Sequence, residues 1–379
     1  MRKNKVAIIG YALDKYSGET NLSSEEMGFK VAKRARDHAG VNRENITSVH
    51  GSTMDFFDGV TISNGLLIPA VGGYDRDSTR VQNGCVFAIM SACASILSGA
   101  SQVAVVCSAD SVKYDIFKVS NASTDCFFSQ PLGLNHLTTY ALFSNQYVER
   151  YKVDEEAIAM SASKNYKAGA SNPHAHIKAG YSVNKVLESR MLATPLREYE
   201  VAMNASCGGG ALFLTSADLA KKYSKSPIWI SGLGVGTSSV NLDDLVDMPA
   251  LRYASEKAFK SAGIGNPLKD LDVVELNNPF SIFELAAYEA LGLCKKGQAV
   301  ELLREGVTQP EGELPVNPSG GTLCTNAPNS GGLFRAIQAI MYLEKDKGGK
   351  RKRALVHDSD MSIGITGDSH AVMILEKEA

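Results

Sequence analysis

Short β-branched apolar runs, each closed by glycine or a polar cluster, punctuate this chain. Val6-Ala7-Ile8-Ile9-Gly10 is the first and Ile46-Thr47-Ser48-Val49-His50-Gly51 the second. Ile228-Trp229-Ile230-Ser231-Gly232 and Leu271-Asp272-Val273-Val274-Glu275-Leu276 come much later. Runs of this kind predict strands buried on both faces. A helical pattern ending Ala39-Gly40-Val41 separates the first pair, and one ending Ala262-Gly263-Ile264 separates the second. Glycine just past a helix end takes the left-handed turn that returns the chain to the sheet. The order strand, helix, glycine, strand therefore occurs twice. It predicts an α/β protein of two similar halves, residues 1–225 and 226–379, with 6–10 and 228–232 as equivalent strands. The stretch 354–376 reads as two closing strands joined by a glycine-containing turn.

Residues 114–222 have another texture, rich in Asn, Ser, Ala and Lys, with helical patterns near 142–151 and 155–167. This predicts an inserted loop domain, and such insertions carry substrate contacts. His174-Ala175-His176 lies in it; without further ligands at suitable spacing the pair does not make a metal site.

Composition narrows the class. With 379 residues, 44% hydrophobic and 21% charged, the chain is that of an ordinary globular protein. A net charge of −2 gives no reason to expect nucleic acid or an anionic membrane. The basic run 347–353 reads as a solvated loop. Met1-Arg2-Lys3 leads directly into the first strand, without a secretory pattern, and no apolar run has the ~18 residues of a spanning helix. Seven scattered cysteines without a CxxC pair fit a reducing, cytoplasmic setting and no structural zinc.

Arg80-Val81-Gln82-Asn83-Gly84-Cys85 is a strand running to a glycine and a cysteine, followed at once by a helical pattern over 86–97. A helix N-terminus can lower a thiol pKa and point backbone N–H groups at an oxyanion. By spacing alone, Cys85 reads as an ordinary buried cysteine, and only the motifs that follow reverse this.

The order of further motifs carries a resemblance. Cys85 with its flanks, Asn278-Pro279-Phe280, Asn317-Pro318-Ser319-Gly320-Gly321 and Ser362-Ile363-Gly364-Ile365-Thr366-Gly367 follow one another as in the thiolases. The chain most resembles the lipid-transfer-protein (SCP2) type, over essentially its whole length. That resemblance implies a five-layered αβαβα fold, Cys85 as nucleophile, coenzyme A esters as substrates and no metal. It also implies that Asn277 or Asn278 donates to a thioester oxyanion, and that the backbone at Cys85 and Gly364 forms a second oxyanion hole, beside Ser362. The loop at His174 and His176 would cover coenzyme A, with Lys178, Arg190, Ser319 and Gly320 as further contacts.

Departures from the family set the question. Relatives keep a Gly-His-Pro whose imidazole activates the cysteine; here Asn326-Ala327-Pro328 stands there. The lipid-transfer type has His-Asp where this chain has Asn277-Asn278. His357 and His370 are the nearest candidate bases in sequence. Without an imidazole, the helix terminus alone would leave the thiol near its free value of ~8.5, with an alkylation profile centred at about 7.5–8.5. The reduced histidine set resembles the thiolase subunit of benzoylsuccinyl-CoA thiolases, which implies a homodimer core and a small zinc-finger/OB-fold partner of the DUF35 type. Two functions stay open: a thiolase acting through acyl-Cys85, and a degenerate thiolase-fold scaffold that binds CoA esters.

Overall fold

The computed structural model describes residues 5–127, 129–237, 243–346, 348–360 and 369–378. Its strands are β1 (Val6–Leu13), β2 (Ser48–Ser52), β3 (Asp77–Val81), β4 (Val103–Asp110), β5 (Met191–Ala193), β6 (Leu196–Arg197), β7 (Gly208–Ser216), β8 (Ile228–Thr237), β9 (Val273–Glu275), β10 (Arg353–Asp360) and β11 (Ser369–Lys377). Nine of them form one mixed sheet in the order β3-β2-β4-β7-β1-β8-β11-β10-β9.

The pairing repeats. From β1 outward, β7 and β4 follow in antiparallel steps, then β2 and β3 in parallel ones. From β8 outward, β11 and β10 follow antiparallel, then β9 parallel, with a parallel bridge from Val274 to Val316 at the last place. Runs 6–10 and 228–232 thus begin equivalent half-sheets. They pair with each other, Val6 opposite Ile230 and Ile8 opposite Ile228, so the two sheets are continuous.

Period-2 alternation divides the strands between layers. Val6 and Ile8 face a central core shared with the Cys85–Leu97 and Gly331–Lys345 helices, while Ala7 and Ile9 face the Ser24–Ala39 helix. In the second half, Ala354 and Val356 face the central core, and Leu355 faces the outer one with the Pro249–Ala262 helix. The two central helices touch strands of both half-sheets. The result is five layers, αβαβα.

The insertion ends earlier than its composition indicates. Within 114–222, residues 208–216 are β7, in the middle of the sheet, and Ala217–Tyr223 is a helix against β1 and β7. The glycine run Gly208-Gly209-Gly210 disguised this strand, since glycine has low β-propensity. The genuine insertion, 111–207, leaves the first half and packs on the second. Tyr140, Phe143 and Tyr147 of the His136–Tyr151 helix join Phe280 and Phe283 in the outer core. Cys85, on the first half, is thereby brought between the second half and the insertion.

Candidate active site

Cys85 is the first residue of its helix, after Gly84 at φ 110°, and is fully buried. Its thiol donates to the Asn329 carbonyl (3.0 Å). Asn329 is held from behind: its N–H donates to Asp110 Oδ1 (2.9 Å) and its amide to Asp58 Oδ1 (3.0 Å). Burial pushes the Asp110 carboxyl up to about 7.

The helix N-terminus is already occupied by an acid. Asp358 projects from the inner face of β10, and its Oδ2 accepts the Val86 N–H (3.2 Å). Its other oxygen pairs with Arg335, whose Nε donates to the His357 carbonyl (3.1 Å) and whose Nη1 donates to Thr322 Oγ1 (3.3 Å). Burial first, then the Asp358 charge, push the Cys85 thiol up to about 12. The expected value near a free thiol is therefore not met. Carboxylate and burial together outweigh the helix terminus, which contributes only ~0.3–2 kcal/mol.

The two asparagines divide the labour. Asn277 lines a cavity of about 110 Å³; its amide donates to Ser359 Oγ (2.8 Å) and its carbonyl accepts from Thr322 Oγ1 (2.7 Å). Asn278 is fully buried away from the cavity, donating to Glu284 Oε2 (3.0 Å) and accepting the Thr322 N–H (2.8 Å). Glu284 also takes Asn165, Asn317, Tyr288 and Lys164, so one buried carboxylate ties the insertion to the Asn-Pro-Phe and Asn-Pro-Ser-Gly-Gly loops.

His357 and His370 do not reach Cys85. They sit on the outer face of their strands, hydrogen-bonded to each other (2.9 Å) and stacked on Phe283. Asp358, one residue along β10, takes the inner face instead. Ser362 and Gly364 lie outside the described residues.

None of the residues expected to hold coenzyme A lines the cavity. His174 Nδ1 meets the Asp14 carbonyl (3.0 Å) and His176 Nδ1 meets Ser206 Oγ (3.0 Å), so both brace their loop. Ser319 is buried, with its N–H donating to Glu275 (3.1 Å), and Gly320 packs on Gly169 and Cys324. Lys178 and Arg190 are exposed. No group of three or more metal-ligating side chains occurs among the described residues.

The cavity joins three parts of the chain. Gly84 comes from the first half, Phe117 and Tyr140 from the insertion, and Asn277, Arg335 and Asp358 from the second half. Ala327, at the place where the thiolase resemblance leads one to expect an imidazole, lines it too. Asp358, Arg335 and Thr322 escaped the sequence reading because the resemblance gives them no role. Only the inward parity of Asp358 on a predicted strand could have signalled it.

A family model described as "Thiolase C-terminal domain-like" matches residues 235–377. An acetyl-CoA acetyltransferase of Methanothermobacter thermautotrophicus is 26% identical over 98% of this chain and 99% of its own. Residues 235–377 thus carry a thiolase C-terminal-like domain, and the chain is similar over nearly its whole length to an acetyl-CoA acetyltransferase. The benzoylsuccinyl-CoA thiolase subunit BbsB of Thauera aromatica is 32% identical, over 50% of this chain and 49% of BbsB. The solved structure of an Ltp2-ChsH2(DUF35) aldolase superposes at TM-score 0.85 and 20% identity, covering 99% of this chain and 98% of that one. At that identity the likeness speaks for the thiolase fold alone. No helix among the described residues is long and apolar enough to cross a membrane.

Proposed function

We propose that this protein is a thiolase-type, CoA-dependent acyltransferase that cleaves, or forms, a β-ketoacyl-CoA through an acyl-Cys85 intermediate. The observation that carries this is the cysteine at a helix start, whose neighbour Gly84 and hydrogen-bond partner Asn329 line a small cavity together with Asn277 and Arg335. A cysteine nucleophile splits carbon–carbon cleavage into two acyl transfers, first to sulfur and then to coenzyme A. Asn277, held by Ser359 and Thr322, is the oxyanion donor in this reading. Asn278 is its structural support. His174, His176, Lys178 and Arg190 lie outside this cavity, so in this reading any contact they make is with the coenzyme A moiety and not with the acyl group.

A benzoylsuccinyl-type substrate is the specific version. The BbsB similarity supports it, as do the aromatic side chains Phe57, Phe117 and Tyr140 on the cavity. At about 110 Å³ the cavity is smaller than the ~150 Å³ that takes one benzene ring, so it suits a small acyl group and has to widen for a benzoyl group. For partners we propose a homodimer joined through the exposed edge strand β3, and a small DUF35-type protein, in line with the DUF35 component of the aldolase complex.

The competing reading is a CoA-ester-binding scaffold, favoured by the full burial of Cys85 and by Ala327. Intact-mass analysis after incubation with acetyl-CoA or benzoyl-CoA decides between them. The enzyme reading requires an acyl adduct that Cys85→Ser loses. An unmodified parent protein with both esters, with and without the partner subunit, would leave the scaffold.

A further inference from the structure

We propose that Asp358 takes the proton of Cys85 and delivers it to the departing group, the task for which relatives keep the imidazole missing at Ala327. This rests on the acyl-Cys85 reading above.

The carboxylate stands in a prepared place. A side chain on Gly84 would lie 2.6 Å from Asp358 Oδ2, and one on Gly332 would collide with the same oxygen. That Gly332 side chain would also lie 3.0 Å from the Cys85 Cβ, so acid and cysteine flank one point. Two glycines thus leave room for the carboxylate next to the Cys85 side chain. Arg335 fixes one oxygen, and the Val86 N–H fixes the other. Asp358 is also the one carboxylate that lines the cavity among the described residues. Burial raises its pKa above the usual carboxylate range despite Arg335, which makes it a better proton acceptor. The other acid near the thiol, Asp110, braces the 329–330 turn and does not line the cavity.

The step balances without a further reactant. The Cys85 S–H bond breaks and its proton passes to Asp358, as sulfur bonds to the acyl carbon. The bond from that carbon to the CoA sulfur breaks, and the proton moves from Asp358 to the CoA thiolate. Acyl-Cys85 and free coenzyme A result.

The test is Asp358→Asn with two readouts: acyl adduct formation from acetyl-CoA or benzoyl-CoA, and the pH profile of iodoacetamide alkylation at Cys85. Removing a negative charge should move the alkylation profile to lower pH. Removing the proton carrier should slow acylation by about 100-fold or more. Readouts moving in opposite directions are what proton transfer requires. Acylation that is unchanged or faster overturns the proposal, since Asp358 would then only restrain the thiol. Because the single variant strands the Arg335 charge, Asp358→Asn with Arg335→Gln is measured beside it. Acylation restored to the parent rate in that double variant also overturns the proposal. If the parent itself forms no adduct, the acyl-Cys85 reading has failed and this inference falls with it.

Discussion

Cys85, the proposed nucleophile, is held as a thiol at rest. With its pKa pushed up to about 12, the thiolate fraction is small throughout the neutral range. Iodoacetamide alkylation should therefore be slow at pH 7 and rise about tenfold per pH unit through pH 10. A plateau below pH 9, read by peptide mass analysis, would contradict the burial argument. A second residue makes a separate pH prediction. His50, buried on β2 between Ser48 and Ser91, has its pKa lowered by burial to about 4. The unfolded imidazole binds its proton near ~6.5. The neutral native form is therefore fully favoured above that value, and its contribution is lost as pH falls toward 4. It amounts to at most about 3 kcal/mol. His50→Gln should flatten the urea-midpoint profile between pH 6.5 and 4 relative to the parent.

At the scale of elements, close approach decides two sites. Gly232, Gly234 and Gly236 share one face of β8, and the Pro249–Ala262 helix lies directly on them. A Cβ at Gly234 would collide with the Ala254 carbonyl. Gly234→Ala should cost about 1–3 kcal/mol or more in chemical denaturation; a neutral result would mean that the helix can shift freely. The insertion is fastened by the fully buried Lys164–Glu284 pair. Glu284→Gln leaves an uncompensated lysine and should cost roughly 3–5 kcal/mol, much of it recovered by adding Lys164→Met. Both sites explain what could be read beforehand. Gly232 was legible as the close of a strand run, whereas Gly234 and Gly236 lie beyond the run that the sequence showed. The helix that requires them lies further along the chain and could not be paired with them from sequence.

The whole molecule is two half-sheets clasped around two helices, with an insertion that crosses from the first half to the second. β3 is left as an edge with exposed Asp77, Ser78 and Thr79. Unpaired edges invite pairing, and a twofold contact would cover both copies. Light scattering at micromolar concentration should give a dimer; a monomer would remove the proposed pairing through β3.

The chain order alone determined the repeat, most strand and helix types, the place of Cys85 at a helix start, and the thiolase resemblance. Each depends on local periodicity or on contiguous motifs, which survive without coordinates. The insertion's end was misjudged because three glycines hide β7. Tertiary structure alone decided the electrostatics of the site. His357 and Asp358 are neighbours in sequence, yet the alternation of β10 sends one to Phe283 and the other to Cys85. Asp358, Arg335, Asn277 and Asn329 come from separate segments, and their distances depend on how the half-sheets close around the central helices. A sequence shows which groups can ionise. The burial and the neighbouring charges that set their pKa values exist only once those segments have met.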